Sequence, residues 1–535
     1  MLNWYRLEQT IEHLMEKEHI PGLAVAVVKD EEVIYARGFG VTSTEDPAVS
    51  VTPQTLFRIG SITKPLVGTA VMRLVESGLL DLDRPVKEYI EWLTFSEKGA
   101  TERMTLRLLM SHTSGLPRDA QLFGRRGPDG LEMYVREKIP SYSFVAPPGK
   151  LYAYSNPGIN LVGYIAQVAC GKPFTTFMQE LLFDPLEMKR TTFDPTIAMT
   201  YPLAQSHVLL KEGTLHVEHR FADNTAYYPS GSAYSTVLDL CNFAMIHLHQ
   251  GRFREKSILS PQSAAKMHTP FADEYVLADS RYGLTLKTLS YKGLKCVEHN
   301  GEFGTFGCHL AFVPDRRLAC VLMLNRIPSK AAPLVYLLLD SLLDLPKEVA
   351  KPQAIEPDRT LWENYAGTYL GNRTGIARIS IENNQLTLML NGQTIPLQAY
   401  RTNLYAGQRQ GNDKMISVGF IPEEVGPTQY LMIDGSSKVC KRVILDTHFV
   451  PDPSLWISYV GRYQSDDGEV ITIRIVGNQL MLHFRDSDTI EEEGSCLPVD
   501  ATRFVWERGL LEFQVAQDGS VPEIVVMGVY TLRRI

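Results

Sequence analysis

No block of lysine and arginine runs through this sequence, and acidic residues outnumber basic ones, 61 against 53, leaving a formal charge of −8. Such a balance does not build the positive field needed to hold a polyphosphate, so nucleic acid is not among the expected partners. Long hydrophobic runs are missing too. The most apolar stretch, residues 331–345, contains Pro333, Asp340 and Asp344 and falls short of the ~20 residues a spanning helix needs. It reads as a buried helix, and no membrane partner is expected. The first residues show an amphipathic pattern (Leu7, Ile11, Leu14, Met15) in place of the basic start and apolar run of a secretory signal. Cysteine is sparse. Seven occur singly from Cys170 to Cys496 with no C-x-x-C pair, which fits neither a disulfide framework nor a zinc site. A reducing cytoplasm is the expected location.

What is present is a soluble globular composition, 44% apolar and 21% charged, in 535 residues, too long for one hydrophobic core. Up to residue 346 strands and helices mix. Apolar runs at 23–28 and 33–35 flank Asp30-Glu31-Glu32 as a hairpin, and helical periodicity appears at 66–76, 159–168 and 238–249. Residues 347–356 turn to Pro, Lys and Glu and read as a linker. Beyond them helical periodicity stops and short alternating runs begin.

This all-β tail repeats itself. Pro357-Asp358, Leu361-Trp362, Tyr365, Gly367 and Tyr369 recur in the same spacing as Pro451-Asp452, Leu455-Trp456, Tyr459, Gly461 and Tyr463. Asn384-Gln385-Leu386 recurs at the same offset as Asn478-Gln479-Leu480. A constant offset argues for duplication, giving two similar antiparallel β domains, residues 357–450 and 451–535. The second copy alone carries an insertion, residues 485–496, with Asp486, Asp488, Glu491, Glu492 and Glu493. Read without further context, it is a solvated surface loop.

Three short patterns appear in order: Ser61-Ile62-Thr63-Lys64, Tyr154-Ser155-Asn156 and His299-Asn300-Gly301. Ser61 and Lys64 fall in the first turn of the predicted 66–76 helix, where Pro65 is tolerated and side chains at i and i+3 share a face. A serine hydroxyl needs a base to become a nucleophile, and a lysine whose pKa is lowered by burial can serve. Tyr154 and Asn156 fall on a turn before the next helix, where a phenol can shuttle a proton and an amide can fix a carbonyl. The third pattern reads as a glycine-rich connection between two strands, with Gly301, Gly304 and Gly307 letting a substrate approach the backbone.

Together these patterns resemble the penicillin-recognising serine hydrolases, a group spanning class C β-lactamases, DD-peptidases and related esterases and aminopeptidases. Residues 108–117 (LLMSHTSGLP) and 229–236 (PSGSAYST) match further stretches of that group, and the likeness covers about residues 5–345. The resemblance implies an α/β (α+β) catalytic domain over 1–346, with an antiparallel sheet and a helical region, followed by two lipocalin-like barrels. It implies Ser61 as nucleophile, Lys64 as the group that lowers the serine pKa or acts as base, and Tyr154 as the group that passes the proton to the leaving group, with the base being either Lys64 or Tyr154. Asn156 and His299 would orient substrate, and the backbone of Ser61 and Glu302, after Gly301, would form the oxyanion hole. No cofactor or metal is implied. The third motif has His299 where the lactamases carry lysine, which weighs against β-lactamase activity. A histidine there, with two barrels behind, looks like the D-aminopeptidases, in which a loop of the last barrel reaches the cleft and reads the substrate's amino group. Asp486, Asp488 and Glu491 are the candidates for that role here. The expected substrate is a small molecule or short peptide, and a homodimer is the assembly considered. The alternatives are an esterase, transacylase or peptide cyclase of the same fold, and after these a β-lactamase or a non-catalytic penicillin-binding sensor.

Overall fold

A computed structural model describes residues 4–119, 126–210, 213–219, 223–327, 334–343, 345, 352–409, 414–435, 438–446, 448–466, 468–485, 491–507 and 509–535. The predicted hairpin is β1 (Gly22–Lys29) and β2 (Glu32–Gly40), turning at Asp30 with φ 57°. With β3 (Ala272–Asp273), β4 (Arg281–Tyr282), β5 (Lys287–Tyr291), β6 (Leu294–Phe303), β7 (Phe306–Val313) and β8 (Leu318–Leu324) it forms an eight-stranded antiparallel sheet in the order β2-β1-β8-β7-β6-β5-β4-β3.

Strand β1 reads as a continuous apolar run because both faces of the sheet are covered. Leu23, Val25 and Val27 pack with helices α1 (Trp4–Lys17) and α5 (Leu334–Leu343), while Ala24, Ala26 and Val28 join the larger core. That core takes its helical side from α2 (Thr63–Glu76), α3 (Asn156–Cys170) and α4 (Val237–Leu248). The apolar 331–345 stretch is thus helical over α5, with Leu334, Val335, Leu338 and Leu339 buried. No helix among the described residues is long and apolar enough to cross a membrane.

The all-β tail forms two antiparallel sheets. Nine strands between Gly367 and Val443 make one nearly closed sheet, and eight strands between Gly461 and Arg534 close into a barrel. The sequence repeat is repeated in contacts. Asp358 and Asp452 each accept a backbone N–H two residues on, at the start of a short 3₁₀ turn, from Thr360 at 3.1 Å and Ser454 at 2.9 Å. Tyr365 stacks on Phe420 and Tyr459 on Phe513, at ring centroids 4.0 and 4.2 Å apart. The Tyr369 hydroxyl donates to Tyr365 O at 2.7 Å, and the Tyr463 hydroxyl to Tyr459 O at 2.8 Å. Arg442 and Arg534 close each copy by donating to backbone carbonyls of the same turn. The spacing recurs because each position carries a defined hydrogen bond or stack.

Both β units rest on the N-terminal unit. Tyr152 and Tyr282 share an apolar cluster with Ile421, Tyr430 and Met432 of the first β unit, and Arg401 grips Asp273 with both guanidinium nitrogens at 2.6 and 3.1 Å. The turn between β9 (Gly367–Gly371) and β10 (Gly375–Glu382) projects toward the N-terminal unit, where Arg373 pairs with Asp119. The second barrel holds that turn. Leu510 N–H donates to Asn372 O at 2.9 Å. A Cβ on Gly509 or Gly528 would lie 2.1 or 2.2 Å from Asn372, so only glycine permits this approach.

Candidate active site

Ser61 sits in a 3₁₀ turn, Gly60–Ile62, that runs straight into α2, one step earlier than the predicted first helical turn. Gly60 takes φ 51°, and a Cβ there would meet Glu302 N at 2.4 Å, so β6 presses directly on the serine turn. Lys64 is fully buried, with Nζ 2.9 Å from Ser61 Oγ and donating to Ser230 O at 2.6 Å. No carboxylate is its partner among the described residues. Burial pushes its pKa well below the ordinary lysine value, and the Arg118 charge pushes the same way. Burial thus favours the neutral amine of Lys64 over its ammonium form, with Nζ beside the hydroxyl.

Asn156 opens α3, and Ser155 caps it by accepting from Gly158 N–H at 3.0 Å. Tyr154 precedes the cap. His112 of the LLMSHTSGLP stretch fixes it from both sides: Ala153 N–H donates to His112 O at 2.7 Å and Ser155 N–H to His112 Nδ1 at 3.1 Å. The imidazole also lies 4.2 Å from the Tyr154 ring. Burial raises the Tyr154 pKa, and its hydrogen bond to Ser61 opposes the rise only in part, so the phenol stays protonated near neutrality. Lys64 Nζ lies 4.8 Å from the centroid of the same ring. Serine, amine and phenol thus meet at one point.

The third pattern differs from its sequence reading. His299-Asn300-Gly301 lies inside β6, which continues to Phe303 and pairs with β7 throughout, and only Gly304, with φ 57°, belongs to the turn. Gly301 accommodates the protein's own backbone, since a Cβ would lie 2.0 Å from Ile59 O. His299 does not face the cavity. It is 1% exposed, with Nε2 2.9 Å from the Tyr282 hydroxyl and Nδ1 2.6 Å from Asn300 O. Burial and the neighbouring Lys64 drive its pKa down to about 3, leaving it uncharged. It acts as a prop behind Tyr282 and Tyr154, whereas its strand neighbours Asn300 and Glu302 reach the cavity.

Ser61, Tyr154, Asn156 and Glu302 open on one cavity of about 430 Å³. The Asn156 carbonyl oxygen is buried with no hydrogen-bond partner, an acceptor left free for a substrate N–H. Five further residues line the cavity that the sequence reading did not single out: Arg118, Asp119, Tyr227, Lys287 and Arg373. Arg118 and Asp119 directly follow the LLMSHTSGLP stretch, a usable signal, whereas Lys287 and Arg373 arrive from β5 and the first β unit with none. Burial raises the Tyr227 pKa to about 12. Of the acidic insertion, Asp486 and Asp488 lie outside the described residues, as does the side chain of Glu491. Its backbone pairs as β12 (Glu491–Pro498) against β11 (Gln479–Arg485), and Glu493 bonds Arg474 of its own barrel at 2.8 Å. None of its described residues lines the cavity. Among the described residues no group of three or more His, Cys, Asp or Glu side chains is arranged to hold a metal ion.

Several known proteins are similar to this chain. The unguisins hydrolase ungD' of Aspergillus campestris is 27% identical over 355 residues, covering 63% of this chain and 65% of that protein. This chain therefore spans just under two thirds of that relative's length. Penicillin-binding protein 4 of Amycolatopsis lactamdurans is 28% identical over 327 residues, 59% of this chain and 84% of its own. Among solved structures, SurE with D-Leu shares the fold at a TM-score of 0.64 and 24% identity, over 82% of this chain and 99% of that one. The Beta-lactamase family matches residues 7–341, the segment that holds Ser61, Lys64 and Tyr154. This chain accordingly belongs to the Beta-lactamase family.

Proposed function

We propose that the protein cleaves small peptides or amides through an acyl-enzyme on Ser61, in the manner of a D-aminopeptidase. The observation that carries the reading is the buried Lys64 amine, 2.9 Å from Ser61 Oγ and without a carboxylate partner among the described residues. Lys64 Nζ takes the Ser61 proton as Oγ attacks the substrate carbonyl. The resulting oxyanion accepts from the backbone N–H groups of Ser61 and Glu302, each contributing ~3 kcal/mol to the transition state. The Lys64 proton then passes through the Tyr154 phenol to the leaving amine, and the C–N bond breaks. Water repeats the sequence in reverse and releases the acid. Because burial raises the phenol pKa and lowers that of the lysine, Lys64 is the base and Tyr154 the relay in this reading.

Recognition of the substrate's amino group falls to Glu302, which is exposed at the cavity beside the proposed oxyanion site and has no ion-pair partner among the described residues. The D preference rests on the D-leucine bound to SurE. The seven cysteines, all free thiols, favour a reducing, cytoplasmic setting.

Fluorophosphonate labelling followed by intact mass tests the nucleophile: Ser61→Ala loses the adduct, and an adduct surviving the substitution removes Ser61. Comparing D-alanine p-nitroanilide with its L form and with its N-acetyl derivative tests the specificity. The free D-amine is expected to turn over fastest. Equal turnover of the blocked compound ends the aminopeptidase reading.

A further inference from the structure

Three cations line the cavity, Arg118, Lys287 and Arg373, and two of them are already matched. Arg373 is clasped by Asp119, and Lys287 Nζ lies 3.2 Å from the carboxylate of Glu274, whose side chain is 3% exposed. Arg118 is different. No carboxylate of the described residues lies within ion-pair distance of it. It is nonetheless firmly placed, because its carbonyl accepts the Asn156 N–H at 3.0 Å, tying it to the segment that carries Tyr154. Its charge is felt at the reaction centre, adding to the lowering of the Lys64 pKa by burial and opposing in part the rise at Tyr154.

The same cavity contains two other unsatisfied groups, the buried Asn156 carbonyl oxygen and the Glu302 carboxylate. A guanidinium, a carboxylate and an amide acceptor, each without a partner among the described residues, around a space of about 430 Å³ match a small zwitterion that has one amide N–H. We propose that Arg118 is a specificity-determining residue that binds the terminal carboxylate of the substrate, so that the protein cleaves unblocked short peptides in preference to their C-terminal amides. The planar fork of arginine suits a carboxylate through two parallel N–H donors. Asp119 does not oppose this, since Arg373 neutralises it, and Glu302 repels the carboxylate toward Arg118 while attracting the ammonium. The proposal rests on the acyl-enzyme reading above and adds the class of leaving group.

The test compares kcat/KM for D-alanyl-glycine with that for D-alanyl-glycine amide. The wild-type protein is expected to favour the free acid by about 30-fold, the worth of one charge-assisted pair. Arg118→Gln brings that ratio to about 1, and Arg118→Lys, which keeps the charge and loses the fork, restores part of it. Equal turnover of acid and amide by the wild type overturns the proposal, as does an equal loss on both substrates in Arg118→Gln. Those failures leave Ser61 labelling by fluorophosphonate intact in the wild type. Absence of that labelling removes the acyl-enzyme reading itself, and this proposal with it.

Discussion

Lys64 derives its chemistry from where it is buried, and so does its neighbour His299. Replacing Lys64 with Met should lower kcat about 10³-fold while the protein stays folded, and Lys64→Arg should do the same, because arginine keeps its proton. Single-turnover acylation measured against pH should show an acid limb, as lowering pH protonates the amine, with its midpoint well below the ordinary lysine value. His299 governs stability in a separate window. Its folded pKa is depressed to about 3, against about 6.5 in an unfolded chain. Above about pH 6.5 neither state binds the proton and the contribution is fully present; below it the unfolded state takes up the proton first, so stability falls toward about pH 3 by on the order of 4 kcal/mol. Urea midpoints at about pH 7.5 and about pH 4.5 should show His299→Gln losing less across that interval than the wild type. An equal loss assigns the effect to other groups.

At the scale of elements, the site depends on β6 lying against the serine turn. Gly301→Ala would place a methyl 2.0 Å from Ile59 O, forcing strand and turn apart. Since a shift of about 1 Å in reacting groups costs about 100-fold, kcat/KM and the rate of fluorophosphonate labelling should fall together by that factor, with secondary structure unchanged by circular dichroism. A second hinge of the design is the turn between β13 (Glu523–Val526) and β14 (Tyr530–Arg534), whose Gly528 takes φ 70° against Asn372. Gly528→Val should displace Arg373 from Asp119 and raise KM for peptides while labelling of Ser61 persists. The helices and the hairpin were legible because their periodicities are local: the predicted 66–76, 159–168 and 238–249 lie within α2, α3 and α4 to within a residue. The course of β6 was not, since its Gly301 looks like a loop residue until Ile59 is seen packed against it.

Over the whole molecule, the β units buttress the catalytic unit. Tyr152 and Tyr282, both in contact with the ring system around Tyr154, are covered by Ile421, Tyr430 and Met432. A chain ending at residue 346 should therefore expose this cluster, with self-association and at least a 10-fold lower kcat/KM than the full chain. Sedimentation and turnover check it, and a monomeric, fully active fragment would deny the β units that role. Motif order, the change from mixed to all-β periodicity and the duplication could all be read from the linear chain, because each is a relation between residues near in sequence or at a constant offset. Arg373 reaches Asp119 across 254 residues, Lys64 reaches Ser230 across 166, and His299 turns away from the cavity that its motif suggested it would line. Contacts of that span carry no periodic signature, since they follow from how packed surfaces meet once the chain has closed its long loops, and it is these contacts that select which charges face the substrate.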